Sequence, residues 1–509
     1  MVTAASFTSP SVQVKNPNTG EVVGQVPDLG AADVDQAIAR ARGASRRWGA
    51  FDHAQRRRDL GAFRRGLAQA AEALATLIHL ENGKPKTDAM AEVLLAIQHL
   101  SHAAARAPEV LSTRTVSSGL MANFKSTVSY HPLGVIGVIG PWNYPIFTPM
   151  GSIAYALAAG NAVVFKPSEL TPLVALEVGR IAAETLSVPD LLQVVTGRGA
   201  TGAALARGAV DKIAFTGSPA TGRRVMQAAA ERLTPVLLEL GGKDPMIVLP
   251  DADLDKAAEA AVWGSMSNAG QACVSIERCY VHASIYDRFV DKVVAEAQGV
   301  TFGYEGAHIG AITLPAQVDI IKKHLTDAAD KGAKFLVGGP DKMQGNVVPP
   351  TVMVDVTHDM LVMKEETFGP ILPILKVPDS EEALRLANQT SYGLGAAIFG
   401  KAHVRELAER IVSGMTTINT VLAFGSVPGL PFGGIGESGF GRIHGDEGLR
   451  EFSRTKSVVE QRFAIPGMNV FTFKLPANAY EQFKGMAEKL YGSAVLDKAS
   501  EVLKKLHLR

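Results

Sequence analysis

Cysteine is nearly absent from this chain, since Cys273 and Cys279 are the two that 509 residues contain. Two cysteines six residues apart cannot build a disulfide framework, and no histidine cluster stands near them at zinc-ligand spacing. No metal site is expected, and a reducing, cytoplasmic home is. Net charge is also scarce: 51 Lys and Arg stand against 50 Asp and Glu, a formal +1. Nothing in that balance points to nucleic acid or to an anionic membrane. The opening MVTAASFTSPS has no basic n-region and no long apolar h-region, so no signal peptide is expected. Charged residues vanish between His131 and Lys166, a length that would suit a membrane span. Pro132, Pro141, Pro145 and Pro149 interrupt that stretch, and a spanning helix tolerates them poorly. Buried strands around a buried helix are the better reading.

What is present is an ordinary globular balance, 47% hydrophobic and 20% charged, in a chain long enough for two or more domains. Residues 12–28 read as a hairpin around Asn16-Pro17-Asn18-Thr19-Gly20. Residues 31–107 read as helical, and 123–131 as an extended strand. Strand and helix then alternate strictly. Strands are expected at 135–139, 161–166, 191–196 and 212–217, with helices at 152–160, 173–186, 200–208 and 221–231. That alternation predicts βαβ units and a parallel, doubly wound, Rossmann-like sheet. A second αβ series runs from about 242 to 436, with strands near 246–249, 278–282, 334–337, 371–376 and 416–419. With no linker between the two series, the boundary near 241 is a turn.

Several segments carry candidate chemistry. GRGATG at 197–202 fits the dinucleotide fingerprint G-x-G-x-x-G, and fits a simple packing turn equally well. FTGSPATG at 215–222 offers Ser218 and free backbone N–H groups to a phosphate at a helix start. Lys166 and Glu169, in FKPSE, sit at the C-terminal edge of a strand, where such sheets hold ligands and a carboxylate can accept from ribose hydroxyls. Cys273 lies in SNAGQACVS. A lone cysteine is commonly an inert small hydrophobe, but Gly270, Gln271 and Ser275 favour a polar approach to a nucleophile. Cys279, inside an apolar strand, keeps the inert reading. Glu239 ends PVLLEL before Gly241-Gly242-Lys243: either a buried base with a raised pKa, or a strand-end partner of Lys243. Asn143, in GPWNYP, could donate its amide to an oxyanion.

These segments together resemble the aldehyde dehydrogenase superfamily over about residues 12–462. PWNYP, FKPSE, FTGS, LELGGKDP, NAGQACVS, EETFGP (365–370) and PFGGIGESGFGR (431–442) stand in the family's order. The resemblance implies an α/β fold with a Rossmann-like cofactor domain (1–113 and 133–241) and an α/β catalytic domain (242–452). It also implies small oligomerisation strands (114–132 and 453–463), and hence a homodimer or homotetramer. It implies that Cys273 attacks an aldehyde, that Asn143 and the Cys273 N–H hold the oxyanion, and that Glu239 activates water against the thioester. The cofactor, NAD by preference with NADP possible, would contact Trp142, Lys166, Ser168, Glu169, Gly199, Gly217, Ser218, Gly222, Leu240, Gly241, Glu366 and Phe368. The preference for NAD rests on Glu169, whose charge would repel a 2′-phosphate.

The substrate expected is an apolar aliphatic or aromatic aldehyde. Trp142, Tyr144, Phe147 and the 420–429 loop would wall its pocket, and no paired arginine is evident to grip a second carboxylate. Succinate semialdehyde is an alternative substrate. A CoA-acylating enzyme is disfavoured because its members look as if they lack the Glu239 carboxylate, and a non-catalytic protein by the joint presence of Cys273, Glu239 and Asn143. The chain also runs on past the family pattern. Residues 478–491 and Val495–Leu506 show helical spacing, read as a docked helix, with a membrane-surface helix as the sharper alternative.

Overall fold

The computed structural model describes residues 10–465 and 471–492. Contacts divide the chain into two units, Met1–Ser112 with Ser129–Lys456, and Thr113–Val128 with Ser457–Arg509.

In the first unit β1 (Ser11–Lys15) and β2 (Val22–Pro27) form the expected antiparallel hairpin. The helical stretch resolves into α1 (Ala31–Gly49), α2 (His53–Gln69), α3 (Ala71–Asn82) and α4 (Lys86–Val110). Local chemistry sets the breaks. Asp52 accepts from the Gln55 N–H at 2.7 Å and Gln55 answers at 3.0 Å, a capping box that starts α2. Gly83, at φ 91°, ends α3 in the left-handed conformation that glycine adopts most cheaply. Strands β3 (Arg114–Val116) and β4 (Phe124–Pro132) come next in the chain.

A six-stranded sheet carries the first αβ series. Its five parallel strands are β5 (Val135–Ile139), β6 (Ala162–Lys166), β7 (Leu192–Val194), β8 (Lys212–Thr216) and β9 (Val236–Glu239). They lie in the order β7-β6-β5-β8-β9, and the Gly439–Phe440 strand runs antiparallel along the outer edge of β9. All residues of β5 and β6 are buried, which is why both read as unbroken apolar runs. Chain order reverses between β5 and β8, and such switch points open a crevice beyond the carboxyl ends of their strands. The crossovers are α5 (Phe147–Ala158), α6 (Leu173–Thr185), α7 (Gly199–Arg207) and α8 (Pro219–Ala230), which share one hydrophobic core with α1–α4. Helix α5 begins earlier than the expected start at Ser152. Pro149 falls in its first turn, where a missing N–H costs no hydrogen bond.

The second sheet contains β10 (Asp244–Val248), β11 (Ile276–His282), β12 (Lys334–Val337), β13 (Thr351–Val354), β14 (Ile371–Val377), β15 (Ala397–Phe399) and β16 (Thr417–Ile418). Their order is β12-β13-β14-β11-β10-β15-β16, with β12 antiparallel to β13 and the other pairs parallel. Sequence pattern predicts five of these strands. It misses β13 and β15, which are four and three residues long, too short for a period to emerge.

In the second unit β3 pairs antiparallel with β4, Arg114 opposite Val128. The Asn123 side chain donates to the Phe463 carbonyl at 3.0 Å. The helix expected over 478–491 is present as Ala479–Tyr491. The one expected over Val495–Leu506 lies outside the described residues. No helix among the described residues is long and apolar enough to cross a membrane.

Candidate active site

A cleft of about 950 Å3 opens at the switch point of the first sheet. All of the catalytic and cofactor-contact candidates line it except Gly222. Trp142 and Asn143 come from the loop after β5, and Lys166, Ser168 and Glu169 from the loop after β6. Gly217 and Ser218 follow β8, while Glu239, Leu240 and Gly241 end and follow β9. Cys273, Glu366 and Phe368 come from the second αβ series. Gly222 instead lies one turn into α8, where an added Cβ would stand 2.7 Å from Leu240. Its place is beneath the cleft, packing that helix close. Tyr144, Phe147 and the 420–429 loop do not line the cleft either. Tyr144 lies under the Lys84 ammonium, 3.9 Å from its ring centroid, and Phe147 packs edge-on against His99.

Glu239 is buried, and no group but the neighbouring Cys273 thiol engages its carboxyl. Burial pushes its pKa up to about 8; the Cys273 thiol opposes that rise and the Asp244 carboxyl adds to it. The pairing with Lys243 does not form. Lys243 is turned into the second sheet, where it makes a buried ion pair with Glu277. Glu239 is held from behind by the Gly439–Phe440 strand, Gly439 opposite Glu239. Ser438 closes the clamp, its carbonyl accepting from Leu240 N–H at 3.1 Å and its hydroxyl donating to the Gly241 carbonyl at 2.7 Å.

Cys273 is half-buried at the same end of the cleft. Burial raises its thiol pKa well above the ordinary value, and the carboxyls of Glu239, Asp244 and Glu366 push the same way. The chain reaches it through Asn268, Ala269 and Gly270, at φ 51°, 56° and 72°. Two consecutive non-glycine residues in the left-handed region are costly, on the order of 1 kcal/mol each. Gly270 has to be glycine, because a Cβ there would lie 2.0 Å from the Gly369 carbonyl oxygen. Cys279, by contrast, is fully buried in β11, and burial pushes its thiol far up.

Gly241 and Gly242 form a seam between the two groups. A Cβ on Gly241 would meet the Glu366 carboxyl at 2.4 Å, and one on Gly242 would meet the Cys273 carbonyl at 2.5 Å. Glu366 accepts from the Gly242 N–H at 3.0 Å, and burial raises its pKa to about 8. Its loop is anchored to Glu277, whose carboxylate accepts from the Thr367 and Phe368 N–H groups at 2.8 and 2.9 Å. Phe368 stands edge-on to Trp142, with centroids 5.5 Å apart.

The other end of the cleft suits a dinucleotide. Ser218 caps α8, its hydroxyl accepting from the Thr221 N–H at 3.3 Å, and with Gly217 and Thr221 it lines this end of the cleft. Lys166 is buried, with its ammonium 3.3 Å from the Glu169 carboxylate, and burial lowers its pKa. Gly199 and Gly202 form a side-chain-free wall, where a Cβ on Gly199 would meet nothing within 4 Å.

Several supporting residues had no recognisable sequence pattern. The Asn143 side chain donates to the Gln271 carbonyl at 3.0 Å, and its own carbonyl accepts from Lys84 at 2.8 Å and Asn268 at 3.0 Å. Asn82 donates to the Trp142 carbonyl at 3.0 Å. Leu314 and Gln317 complete the wall near Phe368. Asn82 and Lys84 lie some sixty residues before the loop they hold, at a helix break that periodicity passes over.

A family model described as the aldehyde dehydrogenase family matches residues 4–458. A 4,4'-diapolycopene aldehyde oxidase of Methylomonas sp. is 39% identical over 95% of this chain and 92% of its own length. A peroxisomal aminoaldehyde dehydrogenase of Pisum sativum is 39% identical over 87% of this chain and 91% of its own. Among solved structures, an NAD-dependent aldehyde dehydrogenase from Sinorhizobium meliloti superposes with a TM-score of 0.86 at 34% identity, covering 91% of this chain and 93% of that one.

Proposed function

The chain belongs to the aldehyde dehydrogenase family and is an NAD(P)-dependent enzyme of that family, and we propose that it oxidises an apolar aldehyde to the free acid with water, preferring NAD. The observation that carries this reading is the buried carboxyl of Glu239, which no group but the neighbouring Cys273 thiol engages, at the same cleft end as that thiol.

The Cys273 thiol gives its proton to the Glu239 carboxylate as Sγ adds to the aldehyde carbon, and Asn143 Nδ2 with the Cys273 N–H donates to the oxygen that takes up the charge. That proton passes on to solvent before Glu239 acts again. A bound nicotinamide dinucleotide supplies the hydride acceptor. Collapse of the adduct leaves an acyl group on Sγ. Glu239 then takes a proton from water, whose oxygen attacks the thioester carbon, and the acid leaves as the sulfur recovers its electron pair. A carboxyl with a pKa near 8 is a stronger base than an ordinary one, and enough of it is ionised near neutral pH to act. The residues lining the cleft would hold the cofactor: Ser218 for phosphate and Lys166 with Glu169 for a ribose at the far end, and Glu366 for the second ribose with Phe368 for the ring near Cys273. Residues 1–113 with 133–241 would form the cofactor domain, 242–452 the catalytic domain, and 114–132 with 453–463 the strands that join subunits.

An apolar substrate accords with the Methylomonas relative, a 4,4'-diapolycopene aldehyde oxidase. NADH formation without CoA, across aldehydes graded by chain length and including succinate semialdehyde, tests the reading. Turnover of the longer apolar aldehydes to free acid supports it. A requirement for CoA, or a strong preference for succinate semialdehyde, overturns it.

A further inference from the structure

The groups assigned to the oxyanion come from different stretches of chain, Asn143 from the loop after β5 and the Cys273 N–H from the second αβ series. A side-chain amide turns about its own bonds, so it serves as a preorganised donor only where something fixes its aim. Gln271, two residues before Cys273, is placed to do so. Its backbone carbonyl accepts from Asn143 Nδ2 at 3.0 Å. A carboxamide nitrogen has two hydrogens. The bond to Gln271 engages one, sets the plane of the amide and leaves the other for a reacting oxygen.

That carbonyl is held in turn by the side chain of the same residue. Gln271 is 1% exposed and does not line the cleft. Its Oε1 accepts from the Thr313 N–H at 2.8 Å, and its Nε2 donates to the Asn268 carbonyl at 2.9 Å. Both bonds stiffen the peptide that meets Asn143. The Thr313 hydroxyl continues to the Asn82 carbonyl at 2.6 Å, and Asn82 is the residue that holds the Trp142 carbonyl. Asn268 and Ala269 stand in the left-handed region just before Gln271, and strain of this kind persists only where the surroundings over-determine it. A glutamine buried for packing alone needs its polar atoms satisfied by any partner at hand. Here each of them engages a segment that carries Asn143 or Cys273, or one that braces the Asn143 loop from behind.

We propose that the Gln271 side chain is a positioning residue for aldehyde oxidation: by locking its own carbonyl it aims the Asn143 amide at the oxygen on the carbon that Cys273 attacks. This role deepens the dehydrogenase reading and rests on the part given there to Asn143. Gln271 touches neither aldehyde nor cofactor and acts through Asn143.

A double-mutant cycle on the full chain tests it, read as the first-turnover rate of NADH formation at saturating NAD, with whichever aldehyde the native chain oxidises fastest. Gln271→Met keeps the side-chain length and removes both of its bonds. It should slow that step at least about tenfold while the dissociation constant for NAD stays unchanged. In an Asn143→Ala background the same substitution should slow it less than about threefold, because the donor it aims is gone. Gln271→Asn, an amide one methylene shorter, repeats the cycle if the Met variant does not fold. An equal loss in both backgrounds, or a parallel loss of NAD affinity, overturns the proposal and leaves the role of Asn143 standing. So does a native rate in the Gln271 variants. A native rate in Asn143→Ala itself overturns the oxyanion reading and the proposal with it.

Discussion

Lys84 and Glu92 form an ion pair 2.7 Å long with neither side chain exposed, and together they grip both ends of the loop that carries Asn143. Lys84 donates to the Asn143 carbonyl at 2.8 Å. The other oxygen of Glu92 accepts from the Ile146 and Phe147 N–H groups at 2.8 and 3.1 Å. Replacing Lys84 with Met leaves a buried carboxylate without its cation, which costs about 3–5 kcal/mol. Thermal unfolding should register that loss. Turnover should fall further than stability alone explains, because the Asn143 amide loses its fixed aim. A variant as stable and as active as the native chain would remove the pair from any part in the site.

Glu239 sets a second expectation. Its pKa near 8 means that the ionised base grows with pH up to and beyond that value. The rate of acyl-enzyme hydrolysis should therefore rise from pH 6 to pH 9 with a midpoint near 8. In Glu239→Gln the acyl group should persist on Cys273, visible as an added mass, and the pH dependence should flatten. Full turnover in that variant would assign the proton to another group.

The same shifts bear on stability. Burial raises Glu81, Glu239, Asp244 and Glu366 each to about 8. Between roughly pH 4.5 and 8 the folded chain then holds protons that the unfolded chain has released. Their contribution is fully present below that window and is lost as pH rises through 8. The unfolding midpoint should drop between pH 6 and pH 9, and Asp244→Asn should lessen the drop. A midpoint that climbs over that range would contradict the burial of these groups.

The two cysteines should part company. Cys273→Ser should abolish dehydrogenase turnover, whereas Cys279→Ala should cost about 1–2 kcal/mol of stability as a small core truncation and leave the rate near native. Because burial and three carboxyls hold Cys273 protonated, iodoacetamide should modify the cofactor-free protein slowly at neutral pH and faster as pH rises. Rapid labelling at pH 7 would show a thiolate at rest.

Glu169 offers a test of cofactor choice. Its carboxylate beside Lys166 would repel a 2′-phosphate, so Glu169→Gln should raise kcat/KM for NADP relative to NAD by about tenfold, roughly 1.4 kcal/mol. An unchanged ratio would place the discrimination elsewhere in the cleft.

Much of the fold was legible because its strands are buried on both faces. β5, β6 and β10 consist wholly of buried residues, and apolar runs bounded by glycine and proline announce such strands. The cleft residues were legible because short motifs place them at strand ends. What sequence could not decide was pairing. Whether Glu239 meets Lys243 or stands alone depends on Glu277, which claims that lysine from another strand. Lys84 and Glu92 carry no signal of their own in the sequence, since nothing local distinguishes a buried pair from an exposed one. Tyr144 and Phe147 were misplaced for a related reason: aromatic residues beside an active loop suit a pocket wall and a core equally well.

The glycine seam at 241 and 242 has a consequence for how such a chain can diverge. The smallest side chain that a mutation could introduce at either position already overlaps Glu366 or the Cys273 backbone. At 241 the Glu366 carboxyl would have to swing out of its place in the site, and at 242 the backbone leaves no graded route away from glycine, only an abrupt collision. New substrate preferences have to arise by remodelling the walls that the aldehyde touches, while the spacing between thiol and base is inherited whole.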